Sequence, residues 1–203
     1  MVKKALKLKK SPPLSISTQF KEAKSYLKES ISYFYVVIIL FILSVLFGYF
    51  YAIHLTFLDN FLKQLIEKTQ GLNPLEMIFF ILQNNIQSTL YGLILGILLG
   101  IPTVLNIIMN GAVLGYVLNK VISLEGYSII WRLFPHGIFE IPAVFIALGL
   151  GLKLGATIFS KKADKPKELK RRFYNSINVF LMIVIPLLII AAIIEALLIF
   201  YLG

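Results

Sequence analysis

The residues able to do chemistry in this chain are few, and they stand in strongly apolar surroundings. Gln83, Asn84, Asn85, Gln87 and Ser88 form one cluster, Asn119 closes a later hydrophobic run, and His136, Glu140 and Glu195 lie within or beside two others. Asn106, Asn110, Lys153 and Asn178 make a sparser second set. His136 and Glu140 are four apart and would share one face of a continuous helix. An imidazole beside a carboxylate is either a proton relay or a structural hydrogen bond that neutralises two buried groups. Glu195 is flanked by Ile, Ala and Leu, so its carboxyl needs a proton or a partner on another helix. The chain has two histidines and no cysteine, and one His with two Glu is a thin set for a metal, so neither metal nor cofactor is expected. Ser88 lies near asparagines rather than a base, and no paired aspartates occur in the apolar runs. Enzymatic hydrolysis is therefore not expected.

The elements that position these residues follow from composition. Of 203 residues 58% are hydrophobic and 15% charged, against about 45–50% and about 25% in soluble domains. One globular core could not hide that much apolar surface, so the chain reads as an all-α integral membrane protein. Runs at about 33–53, 77–101, 103–122, 138–160 and 177–202 are long enough to cross a hydrocarbon layer of about 30 Å. The net charge of +10 is concentrated in two blocks. Eight lysines precede residue 30, and seven basic residues fall between 161 and 172. Five spans put both blocks on one side, which the positive-inside rule makes the cytoplasm, with the C-terminus outside. Residues 1–32 then form a basic cytoplasmic segment and 33–203 one transmembrane domain of the cell membrane. The first run is too long for a signal peptide and reads as a retained anchor. Basic strips beside a bilayer attract anionic headgroups, and they lack the aromatic platform of single-strand nucleic-acid binders.

Three shorter stretches have apolar stripes at helical spacing and read as helices lying on the membrane. They contain Ile16, Phe20, Ala23 and Leu27; Leu55, Leu58, Phe61, Leu62, Leu65 and Ile66; and Leu169, Phe173 and Ile177. Asn73-Pro74-Leu75-Glu76 offers a cap, a first-turn proline and an acidic third residue, which marks the start of span two. Ile101-Pro102-Thr103 joins spans two and three without a charge, as a loop or as the tip of a re-entrant hairpin. Small residues four apart recur as Gly92, Gly96 and Gly100, as Gly111 and Gly115, and as Gly151 and Gly155. Such spacing lets membrane helices approach closely. It points to a core of spans two to four with spans one and five facing lipid, or to a homodimer face, and a homodimer is expected because compact glycine faces and helices lying on the membrane suit one. Pro135, Gly137 and Pro142 suggest a broken start to span four. With the topology above, Gln83, Asn84, Gln87, Asn119, His136, Glu140 and Glu195 gather toward the outer face as a polar pocket, with Asn106 and Asn110 deeper.

The stretch Phe134-Pro135-His136-Gly137-Ile138-Phe139-Glu140-Ile141-Pro142-Ala143, followed by Gly149-Leu150-Gly151-Leu152-Lys153-Leu154-Gly155, resembles the signature of the stage II sporulation protein M family. Asn106, Asn110, Gly111 and Gly115 are similar too, and the likeness covers roughly residues 30–202. The resemblance implies a small polytopic helical membrane protein in which His136, Glu140 and Pro142 belong to a central site. The family's namesake is similar to a membrane scaffold that recruits cell-wall-degrading partners. A non-enzymatic scaffold or assembly component is accordingly the first expectation. The alternative is a small proton- or ion-coupled transporter or channel with an outward-facing polar pocket.

Overall fold

The computed structural model describes residues 15–127, 130–160 and 163–202, the side chains at 130–136 and 202 apart. All regular structure among the described residues is helical. The helices are α1 (Ile16–Glu29), α2 (Ile31–Phe50), α3 (Phe57–Thr69), α4 (Pro74–Ile94), α5 (Ile101–Glu125), α6 (Ile130–Gly155), α7 (Lys165–Val179) and α8 (Ile185–Leu202). Among the described residues five helical stretches are long and apolar enough to cross a membrane: Ile31–Phe50, Pro74–Ile97, Ile101–Glu125, Gly137–Phe159 and the segment Lys165–Tyr201. In the expected capping box, Glu76 N–H donates to Asn73 Oδ1 at 3.0 Å and Asn73 N–H to Glu76 Oε2 at 2.9 Å. A tight turn through Leu98–Gly100 separates α4 from α5, with Gly100 at φ 76°, a left-handed value that glycine adopts without steric cost. Pro102 sits in the first turn of α5, where no N–H is needed.

The glycines decide which helices touch, and they do so differently from the simple expectation. A Cβ on Gly111 would lie 2.6 Å from the Ser44 Cβ, and one on Gly115 would lie 2.8 Å from the Tyr49 nitrogen and collide with the Val45 carbonyl. Gly48 faces the Ala112 backbone in the same seam. Span one is thus locked onto span three instead of standing off in lipid. Spans two and four form a second seam, in which Gly96 meets the Gly151 backbone, Gly155 meets Gly100, and Gly92 meets the Leu148 side chain. The Thr103 hydroxyl donates to the Gly92 carbonyl at 2.6 Å and ties α5 to this seam. Span five is also part of the core. Ala191, Ala192 and Ala196 of α8 are fully buried, and α8 packs on α4 and α6. The seven glycines of the four-residue spacings are all in use within the chain, so the case for a homodimer no longer rests on them.

The expected break in span four is not found, since α6 is continuous through Pro135, Gly137 and Pro142. Proline costs a helix one hydrogen bond and a ring clash, which neighbouring helices can offset. The fully buried Ala143 and Ala147 hold the turns that follow Pro142 against those neighbours. The irregular turn lies in span five instead. Phe180–Val184 forms a π turn that joins α7 to α8 immediately before Ile185-Pro186. A wider turn there suits a proline that lacks the N–H for the preceding turn.

The three amphipathic stretches are the helices α1, α3 and α7. Two of them pair with each other rather than lying apart, because α1 packs along α7 with Ala23 and Tyr26 buried between them. Asn178 Nδ2 donates to the Gln19 carbonyl at 2.9 Å across this contact. The bundle therefore has two unlike ends, one carrying α1 and α7 with the described basic residues from Lys21 to Lys28 and from Lys165 to Arg172, the other carrying α3.

Candidate functional site

The polar residues of the spans do not form one pocket. Two adjoining cavities open beneath α3. The larger, about 700 Å³, is lined by Gln83, Asn84, Gln87 and Asn110, by Lys68, and by apolar side chains of α3, α4 and α5. The second, about 500 Å³, brings Glu140 of α6 and Glu195 of α8 together with Asn84 and Asn85 of α4 and Asn110 of α5. Asn84 and Asn110 line both. Asn84 is ten residues into α4, about 15 Å along the axis and roughly halfway through a hydrocarbon layer.

Helix α3 forms the roof. Its apolar stripe points down, with Phe57, Leu58 and Phe61 over the larger cavity, Leu62, Ile66 and Thr69 over the second, and Leu65 over both. Leu58 is buried against Ala52 and Tyr116. The Tyr116 hydroxyl donates to Asp59 Oδ1 at 2.5 Å, and Lys120 Nζ lies 3.6 Å from Asp59 Oδ2. The Tyr116 hydrogen bond first, and then the Lys120 charge, hold the Asp59 carboxyl below the usual carboxylate range. This tie fastens α3 to α5.

Glu140 and Glu195 make no hydrogen bond or ion pair with any described side chain or backbone group. The carboxamides of Asn84 and Asn85 also bond to no described group, whereas Asn110 donates from Nδ2 to the Asn106 carbonyl and Oδ1, each at 2.9 Å. Asn106 is a structural link, donating to the Ser88 carbonyl at 3.3 Å. Asn119 is also structural, since it donates to the Tyr49 carbonyl at 3.1 Å and so joins α5 to α2. The contact expected between His136 and Glu140 lies outside the described side chains. Among the described residues no cluster of three or more His, Cys, Asp or Glu could hold a metal ion.

The opposite end holds a polar assembly that reading along the chain did not find. Lys153, 2% exposed, reaches from α6 to Glu29 Oε1 at 3.0 Å and to Ser30 Oγ at 2.9 Å, and its ammonium lies 3.7 Å from the centre of the Tyr26 ring. Arg171 grips both oxygens of Glu29, at 2.8 and 3.2 Å, and both oxygens of the buried Glu168, at 2.9 and 3.0 Å. Arg172 adds a bond to Glu168 at 2.9 Å and donates to the Lys153 carbonyl at 2.6 Å. The Arg171 hydrogen bonds first, and Lys153 after them, pull the Glu29 carboxyl down to about 2. The partners are up to 142 residues apart, so no local spacing announces them. The one local signal was Glu168 with Arg171 and Arg172 at three and four residues on a helix.

A five-span helical bundle with polar side chains turned inward at membrane depth defines a multi-pass integral membrane protein. More particularly, the chain belongs to the stage II sporulation protein M family, whose sequence model matches residues 37–198. The match takes in both glycine seams, Glu140 and Glu195, and the lining of both cavities except Ile199. No curated protein and no solved structure matches the chain significantly.

Proposed function

We propose that the protein binds a solute in the cavity beneath α3 and couples that binding to ions or protons, in the manner of a small carrier of the cell membrane. The observation that supports this reading is that Glu140 and Glu195 line one intramembrane cavity with no hydrogen-bond or ion-pair partner for either carboxyl among the described residues. Leaving two carboxyls at membrane depth without partners is costly, and chains tolerate it where the groups meet water, protons or a ligand. A purely structural pair would be bonded, as Glu29 and Glu168 are. In this proposal the basic end with α1 and α7 faces the cytoplasm and anionic headgroups, and α3 lies at the outer surface. The test is proton and potassium flux into proteoliposomes of the wild-type chain and of Glu140→Gln and Glu195→Gln. Flux lost in either variant, with the folded fraction unchanged, supports the carrier. Equal flux in all three, or none in any, counts against it.

The scaffold reading keeps one specific support. The two glycine seams and the charge cluster at the basic end make a rigid bundle with a strongly basic surface on one side, which suits a platform for assembly. In that reading neither glutamine variant changes function, and reversing the lysines of α1 does.

A further inference from the structure

Resting on the solute-binding reading above, we infer that the ligand of the 500 Å³ cavity is a lipophilic organic cation of ammonium or phosphonium type, held between Glu140 and Glu195 against phenylalanine rings. The charge of the site selects the sign. Two carboxyls face the space, and no Lys, Arg or His is among the described side chains that line it; Lys68 of α3 lines the neighbouring cavity instead. Both carboxyls line the same cavity, so one cation placed between them meets two negative groups at once. An anion has only the asparagine N–H groups to offset two negative neighbours.

The walls select the kind of cation. Phe41, Phe80, Phe145 and Met77 line the cavity with Ile, Leu and Val, and Phe41 packs edge-on to Phe145 with ring centres 5.1 Å apart. Aromatic faces attract a poorly hydrated cation, and their advantage grows in a low-dielectric site. A dehydrated Ca²⁺ takes six to eight oxygens at about 2.3–2.6 Å, more than the four that the two carboxyls hold. That volume falls within the range of about 300–1,000 Å³ found for organic ligands. The roof contributes the route. Leu62, Leu65, Ile66 and Thr69 of α3 cover the cavity, and an amphipathic helix rests where amphiphilic cations collect, at the boundary between headgroups and acyl chains.

The experiment is calorimetric titration of the full chain in neutral detergent with tetraphenylphosphonium and with its anionic counterpart tetraphenylborate. Wild-type protein is expected to bind the cation saturably and the anion only by unsaturable partition. Glu140→Gln and Glu195→Gln should each weaken cation binding at least tenfold, and Glu140→Asp, which keeps the charge, should retain most of it. Val144→Phe, which fills the cavity, should abolish it, and size-exclusion chromatography of each variant reports folding. Cation binding unchanged in the Glu140→Gln/Glu195→Gln double variant overturns the inference. Saturable tetraphenylborate binding that Val144→Phe removes overturns the choice of cation and leaves the solute site standing. If neither ion binds wild-type protein saturably, the inference falls, and the flux measurement then decides the carrier by itself.

Discussion

The two ends of this bundle treat buried charge in opposite ways. At the basic end three cations and two carboxylates close on one another, with Lys153 and Glu168 almost fully buried and each bonded more than once. At the α3 end two carboxyls look into a cavity and bond to nothing described. Among the described residues the same chain thus pairs its charges at one end and leaves two carboxyls open at the other. A closed cluster gains from every partner it keeps, and an open pair is stabilised by losing its charge.

Removing a carboxylate should therefore change stability with opposite sign at the two ends. The largest effect is expected for Glu168→Ala, which leaves Arg172 without a carboxylate and Arg171 with Glu29 alone. The loss should be about 3–5 kcal/mol, seen as a large drop in the thermal midpoint of the detergent-solubilised protein. If that midpoint barely moves, the basic end is no joint. Next is acid. The Glu29 carboxyl lies at about 2, below its ordinary 4.5, so its contribution is whole above that ordinary value and is lost as pH falls from about 4.5 toward 2. A melting series across this window should decline in the wild type and flatten in Glu29→Gln.

Smaller again is Tyr116→Phe, which removes one hydrogen bond to Asp59, on the order of 1 kcal/mol. Amide hydrogen exchange should quicken along Phe57–Thr69 and stay unchanged in α1 and α7. The smallest effect is expected for Glu195→Gln, a midpoint within about 1 kcal/mol of wild type and not below it. A clear loss of stability there would mean that the open carboxyls are a second joint after all, and the contrast between the ends would collapse.

The elements were legible from one-dimensional pattern because their causes are local. Run length marks the spans, stripe spacing marks α1, α3 and α7, and Asn73 with Glu76 marks the start of α4. Pairing was not legible. Gly111 and Gly115 announce a close neighbour, yet nothing in their spacing says that it is Ser44 through Tyr49 of span one. The polar residues were marked as costly by their burial in apolar runs, which is a per-residue signal, but their sorting is a matter of helix azimuth. Asn119 turned to Tyr49 and Asn106 to Ser88, while Asn84 and Asn110 faced the cavities with Glu140 and Glu195. Lys153 was grouped with Asn106, Asn110 and Asn178, and its pairing was not readable because its partners come from α1 and α7. Proline position misled for span four, where neighbouring helices outweighed it, and the wide turn fell before Pro186 instead.

That wide turn has a consequence for the phase of the last span. A π turn carries one residue more than an α turn, and each residue advances a helix by about 100°. Phe180–Val184 therefore sets the angular offset between the half of the helix that packs on α1 and the half that bears Glu195. With one residue deleted there, α1 could keep its grip on α7 while everything beyond swung by about 100° and slipped by about 1.5 Å, and Glu195 would point away from Glu140. A single inserted residue is in that sense the gear tooth that meshes the basic end with the acidic cavity at the other.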